Sequence, residues 1–288
     1  MCTTAPDIKL VECPRDAMQG WKNFIPTEVK INYLNQLLQV GFDVLDCGSF
    51  VSPKAIPQMA DTAAVIRGLR LNGTRTSLLV IVANTRGAEE AVAFDEIRAL
   101  GFPFSLSPTF QQRNTNSTME ESLHRVESIQ EICVKNSKEL VIYLSMGFGN
   151  PYGDAYNEDL LLNWAGKMAD MGIGTISLAD TVGLATSEQI SRAVATLVAQ
   201  YQQLETGVHL HSTSLNWYSK LDAAWQAGCI RYDGALKGIG GCPMAQDDLV
   251  GNMDTELMIP YFQEKGFLQK LNKEALTESA RLALDIFH

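Results

Sequence analysis

The chain has 288 residues, 46% of them hydrophobic and 19% charged, which suits a sizeable buried core and excludes a disordered chain. Its 23 basic and 33 acidic residues leave a net charge of −10, which argues against a dedicated nucleic-acid binder, because phosphate contacts need clustered Lys and Arg; a local pocket for one anionic ligand stays open. The first seven residues lack a basic start and an apolar stretch, the longest apolar run (78–83) is far too short to span a bilayer, and six well-separated cysteines fit reduced thiols, so a cytoplasmic protein without membrane contact is expected.

Short β-rich runs alternate with helical patterns from end to end. Strands are expected at 8–13, 44–50, 77–83, 102–107, 139–146, 175–180, 207–212 and 230–236. Near-continuous apolar runs such as Leu78-Leu79-Val80-Ile81-Val82 suit parallel strands buried on both faces. Between them, Leu34, Leu37 and Leu38 follow helical spacing after Thr27, an expected N-cap. Leu161, Trp164, Ala165 and Met168 repeat the spacing, and Gly41, Gly101 and Gly172 are expected to close helices. The tail 272–288 reads as a last amphipathic helix. Eight βα units is the count that closes a TIM (β/α)8 barrel, an α/β fold, although an open doubly wound sheet can carry a similar alternation. No Pro- or Ser-rich linker interrupts the chain, so 1–288 reads as one domain.

In such a barrel the chemistry sits at the C-terminal ends of the strands. Strand one ends in Cys13-Pro14-Arg15-Asp16, strand two leads to Asp46, Ser49 and Ser52, and strand six ends in Ala179-Asp180-Thr181. Strand seven carries His209-Leu210-His211. Residues two apart on a strand point to one side, which puts the imidazoles about 7 Å apart along the backbone, within reach of one metal ion. Taken alone, the pair is equally two polar positions at a strand end. Asp16, leaving strand one on the same rim, is the natural carboxylate to complete a set of two histidines and an acid. Arg15 beside it reads as an ion pair or as a fixed donor for a developing enolate or carboxylate charge.

After strand eight comes Gly238-Ile239-Gly240-Gly241-Cys242-Pro243. It lacks the Lys-Ser/Thr of a phosphate-binding loop and the spacing of a dinucleotide fingerprint. It reads either as a loop of positive φ or as a flap that delivers Cys242 to the site. Asn252 is a helix cap or an amide donor, His124 a surface residue, and His288 carries no argument.

These residues, in this order, resemble the 3-hydroxy-3-methylglutaryl-CoA lyases of the DRE-TIM metallolyase group. The likeness runs from about Val11 to Met258. It is densest in Pro14-Arg15-Asp16, in 49–54 (SFVSPK) with Pro57-Gln58-Met59, in 177–183 (SLADTVG), in Val208-His209-Leu210-His211 and in Gly240-Gly241-Cys242-Pro243. The resemblance implies the TIM barrel, and it implies that Asp16, His209, His211 and Asn252 bind a divalent cation, Mg²⁺ or Mn²⁺. It implies that Arg15 stabilises the enolate of the leaving acetyl-CoA and that Cys242 takes part in proton transfer. Glu256 matches an acid that follows the family's ligating Asn, Asp46 stands where the family has Glu, and Asp180 matches its substrate-side acid. Ser212 replaces an Asp that would orient the imidazoles, and the Cys242-to-Asn252 interval is one residue longer than the family's.

The expected reaction is metal-dependent cleavage of 3-hydroxy-3-methylglutaryl-CoA to acetyl-CoA and acetoacetate. Its expected catalytic residues are Arg15, Asp16, Asp46, His209, Cys242 and Glu256. Asp180, Ser52 and Lys54 are expected to contact substrate, Lys54 as a candidate for CoA. A related aldolase or Claisen condensing enzyme is the alternative within the group, and a non-catalytic barrel binding an acyl-CoA or a partner is the alternative outside it. Partners reduce to the acyl-CoA substrate, with a homodimer left open.

Overall fold

The structure is a computed structural model and describes residues 7–241 and 250–288. Eight parallel strands form a closed barrel in chain order: β1 Lys9–Glu12, β2 Val44–Ser49, β3 Ser77–Ile81, β4 Ile97–Ser105, β5 Glu139–Ser145, β6 Thr175–Ala179, β7 Glu205–His209 and β8 Arg231–Gly234, with β8 pairing back to β1. Closure removes both sheet edges, which decides between the two topologies the alternation permitted. Around the strands lie α1 Pro14–Gln19, α2 Thr27–Leu37, α3 Thr62–Arg67, α4 Thr85–Val92, α5 Pro108–Thr115, α6 Met119–Lys135, α7 Glu158–Asp170, α8 Ser187–Gln200 and α9 Trp217–Gln226. The chain ends in α10 Thr255–Glu264 and α11 Lys273–Ile286. No helix among the described residues is long and apolar enough to cross a membrane.

Each strand is buried on both faces. Val11, Val44, Leu79, Ile81, Ala99, Val141 and Tyr143 fill the barrel, while Leu10, Leu45, Val80, Leu100, Phe102, Ile142 and Val208 belong to the core shared with the helices. Leu161, Trp164, Ala165 and Met168 form the buried face of α7, as their spacing predicts. Asn272 caps α11 by accepting hydrogen bonds from the backbone of Glu274 and Ala275.

Three expectations are corrected. β4 starts at Ile97, five residues before the expected 102, and Gly101 lies inside it rather than closing a helix. A Cβ at Gly101 would come within 2.6 Å of Ile81 Cδ1 and 2.9 Å of Tyr143 Cε2, so the glycine answers to crowding inside the barrel. Thr27 is the first residue of α2 rather than its cap; Pro26 holds the cap position and Thr27 Oγ1 donates to Asp61 at 2.7 Å. β7 ends at His209, and His211 lies beyond it in an antiparallel bridge to Asn252.

The outer face of β1 holds an unexpected acid. Glu12 is fully buried between the barrel and α10, accepting from Leu236 N at 2.9 Å and Thr255 Oγ1 at 2.5 Å. Burial pushes its carboxyl up to about 8 from the ordinary 4.5, against the lowering effect of those two hydrogen bonds. The folded chain therefore keeps a proton that the unfolded chain releases above its ordinary value. Stability contributed this way is full at low pH and falls as pH rises from about 4.5 to about 8, by about 1.4 kcal/mol per pH unit at most. Glu12→Gln can still accept from Leu236 N, and its amide N–H can donate to Thr255 Oγ1, so it should flatten this slope in urea unfolding measured from pH 5 to 8. An unchanged slope would place the proton elsewhere.

Candidate metal centre and active site

Asp16, His209 and His211 each offer a ligand atom, and the three atoms lie within 4.8 Å of one another. Three elements deliver them. Pro14 opens α1 directly after β1 and turns Asp16 inward in its first turn. His209 is the last residue of β7. His211 follows where the chain pairs with the returning segment: Ser212 N donates to Gly251 O and Met253 N to Leu210 O, both at 2.9 Å. That pairing also seats Asn252. The side chains of Asp16 and His209 keep 14% and 13% exposure, so the cluster opens to the barrel mouth.

Asn252 is 2% exposed, and its Nδ2 donates to Asp16 Oδ2 at 2.8 Å and to Ile239 O at 2.9 Å. Its Oδ1 is buried with no hydrogen-bond partner among the described residues. A buried amide oxygen without a donor is costly, and a cation beside the cluster satisfies it. The residues therefore fit a divalent metal ion: one carboxylate, two imidazoles and one free amide oxygen. Burial and the neighbouring His209 charge push His211 down to about 3, which leaves its imidazole neutral and able to donate a lone pair. Burial raises Asp16, but Arg15, His209 and the Asn252 hydrogen bond outweigh it and hold the carboxylate well below its usual range.

Arg15 is buried at the same rim. Its Nε and Nη2 donate to Asp46 at 3.0 and 2.5 Å, and its Nη1 donates to Asp16 at 2.8 Å and Gln19 at 2.9 Å. Burial pulls the guanidinium down, and Asp46 and Asp16 more than reverse it, so the charge is fixed. Of five N–H groups, one on Nη2 has no partner among the described residues. Asp46 thus serves Arg15, which is the contact expected of a side chain 1% exposed under that guanidinium.

Other sequence-selected residues fall at varying distance from this cluster. Asp180 is buried behind His211: Lys220 Nζ donates to its Oδ2 at 2.6 Å and to His211 O at 2.8 Å, and Ala185 N donates to its Oδ1 at 3.1 Å. Both carboxylate oxygens are thereby taken up in holding the β6 and β7 ends together. Glu256 lies in the first turn of α10, paired with Lys237 at 2.9 Å, and lines a cleft between α10 and α11 rather than the mouth. Ser52 and Lys54 lie in the loop after β2, on the mouth side, with Lys54 exposed. Gly238, Gly240 and Gly241 adopt φ of 64°, 105° and 135°, as the glycine-rich stretch predicts. Cys242 lies outside the described residues.

Sequence reasoning missed Asp233. It is fully buried at the end of β8, with Oδ2 3.3 Å from His209 Nδ1. Burial lowers His209, and the Asp233 hydrogen bond and charge more than reverse this, raising it. An acid at a strand's C-terminal end was the available signal. Cys13 joins His209 and Asp233 in a second group of converging donor atoms.

The model of the HMGL-like family matches residues 8–283. The mouse mitochondrial hydroxymethylglutaryl-CoA lyase is 31% identical over 282 residues, covering 97% of this chain and 85% of its own. The human cytoplasmic 3-hydroxy-3-methylglutaryl-CoA lyase is 33% identical over 260 residues, covering 88% of this chain and 68% of its own. Among solved structures, an HMG-CoA lyase from Acinetobacter baumannii in complex with coenzyme A and 3-methylmalate superposes with a TM-score of 0.90 at 29% identity, over 100% of this chain and 93% of that one. A closed eight-stranded barrel, a mouth carrying Asp16, His209, His211 and Asn252, and these relationships together make the chain a member of the HMGL-like family, the HMG-CoA lyases.

Proposed function

We propose that the chain is a divalent-metal-dependent carbon–carbon lyase that cleaves 3-hydroxy-3-methylglutaryl-CoA to acetyl-CoA and acetoacetate. The observation that carries this reading is the convergence of Asp16, His209 and His211 beside Arg15, with Asn252 on Asp16 and its buried Oδ1 left without a partner among the described residues. The donor set is all nitrogen and oxygen, which suits Mg²⁺ or Mn²⁺. When bound, such a cation supplies the charge that lowers the cost of ionising the substrate's tertiary hydroxyl.

The protein's own groups then act on the charge that moves. Breaking the C2–C3 bond leaves a ketone on one product and sends the electron pair to the thioester, whose oxygen becomes an enolate. Arg15 has one Nη2 hydrogen without a partner among the described residues to offer that oxygen, and it needs no reorganisation, because Asp46 and Gln19 already hold its plane. Carbon C2 must finally take a proton. Cys242, on the glycine-rich segment after β8, is the proposed donor. Lys54 and Ser52, on the mouth-side loop after β2, are proposed to meet the CoA moiety.

The test is incubation of the protein with Mn²⁺ or Mg²⁺ and 3-hydroxy-3-methylglutaryl-CoA, with acetoacetate and acetyl-CoA both assayed. Equal amounts of the two products are expected. Stoichiometric metal binding without product would move the assignment to a related condensing enzyme. Cys242→Ser is expected to leave metal affinity unchanged and to cut kcat by about 10²-fold or more, the scale of a general-acid contribution. Wild-type turnover in that variant would make the thiol a bystander.

A further inference from the structure

Inside the barrel, below His209, lies a charge that its apolar lining does not need. Arg231 of β8 is 3% exposed and stands in register with Gly207 of β7 and Lys9 of β1. Its stem crosses Gly207, where an added Cβ would come within 2.9 Å of Arg231 Cδ and 3.1 Å of Cγ, so no larger residue fits on β7 there. The guanidinium reaches both ways along the barrel axis. Its Nη1 donates to Glu205 at 3.1 Å, and its Nε lies 3.7 Å from Asp233 Oδ1. Glu205 in turn pairs with Lys9.

Two polar ends of this column are left over. Among the described residues, Arg231 Nε and Nη2 have no hydrogen-bond partner, and neither has Asp233 Oδ1 facing them. Barrel interiors are ordinarily filled with branched apolar side chains, and burying a guanidinium and a carboxylate is costly. What the column reaches is His209, through Asp233 Oδ2 at Nδ1. Ser212, beside His211, cannot serve this purpose: its hydroxyl is engaged with Met253 Sδ at 3.5 Å.

We propose that Arg231 is a positioning residue that acts through Asp233. Standing 3.7 Å from Asp233 Oδ1, the Arg231 guanidinium holds that carboxylate with its Oδ2 at His209 Nδ1, which orients the imidazole and turns its Nε2 toward Asp16 and His211. The proposal rests on the metal reading of that cluster, and its readout is metal affinity rather than turnover.

Mn²⁺ affinity, measured by electron paramagnetic resonance on the whole chain, provides the test. Asp233→Asn should weaken Mn²⁺ binding by about 10–100-fold, the usual effect of removing a carboxylate behind a ligating histidine. Arg231→Met should weaken it about 10-fold, and Arg231→Lys, which keeps the charge, should recover most of the loss. The double variant Arg231→Met/Asp233→Asn should bind no more weakly than Asp233→Asn alone, because a residue that works through another has nothing left to act on. Wild-type affinity in Arg231→Met, or fully additive losses in the double variant, would overturn the proposal. If Arg231→Met alone does not fold, comparison of Asp233→Asn with the double variant decides the matter, since neither strands the Asp233 charge. A wild-type chain that binds no Mn²⁺ would instead refute the metal reading itself.

Discussion

His211→Ala is expected to abolish stoichiometric Mn²⁺ binding and to lower lyase turnover by about 10³-fold or more, the equivalent of several kcal/mol of lost charge stabilisation. The imidazole is the best-prepared ligand of the site. It is 3% exposed, pushed down to about 3, and has no side-chain hydrogen bond among the described residues, so alanine removes a donor and strands none of them. Its backbone contacts survive the substitution: Lys220 Nζ holds His211 O and Met253 N holds Leu210 O. The fold should therefore be retained, with a melting temperature close to wild type. Retained stoichiometric metal in His211→Ala would sink the ligand assignment.

Arg15→Met should lower kcat by about 10²–10³-fold with little change in KM, the scale of one lost oxyanion donor. The same change breaks a buried pair, because Asp46 is 1% exposed and Arg15 is its partner. Leaving that carboxylate alone costs about 3–5 kcal/mol of stability, so the single variant confounds folding with catalysis. The double variant Arg15→Met/Asp46→Leu separates them. Removing both charges should restore most of the melting temperature while kcat stays low. Recovery of kcat together with stability would reduce Arg15 to a structural ion pair. A rise in KM at unchanged kcat would show that the guanidinium meets the substrate in its ground state rather than the enolate.

Much of the site was readable because its residues lie at strand ends. Asp16 and His209 leave β1 and β7, the two neighbours of β8 on the rim, and a parallel barrel brings every C-terminal strand end to one mouth. Their convergence within 4.8 Å of His211 follows from the topology once the barrel closes. Asn252 required more. Nothing local selects it over a helix cap, and the cap of α10 is in fact Asp254. Its place is set by the antiparallel bridge to His211. Glu256 and Asp180 show the converse, since motif position selected both, and Lys237 and Lys220 occupy their carboxylates.

The apolar runs were sufficient to determine an alternating α/β chain with eight strands, because parallel strands buried on both faces are continuous in hydrophobicity. The pair His209-x-His211 and the run Pro14-Arg15-Asp16 likewise determined that one rim would carry imidazoles, a carboxylate and a guanidinium. Closure of the sheet, the seating of Asn252 and the contacts of Glu12, Arg231 and Asp233 were decided only in three dimensions. Each of these depends on which groups from distant strands meet inside a low-dielectric core. A buried polar group is defined by its partner, and the partners here lie up to 243 residues apart, as Glu12 and Thr255 do.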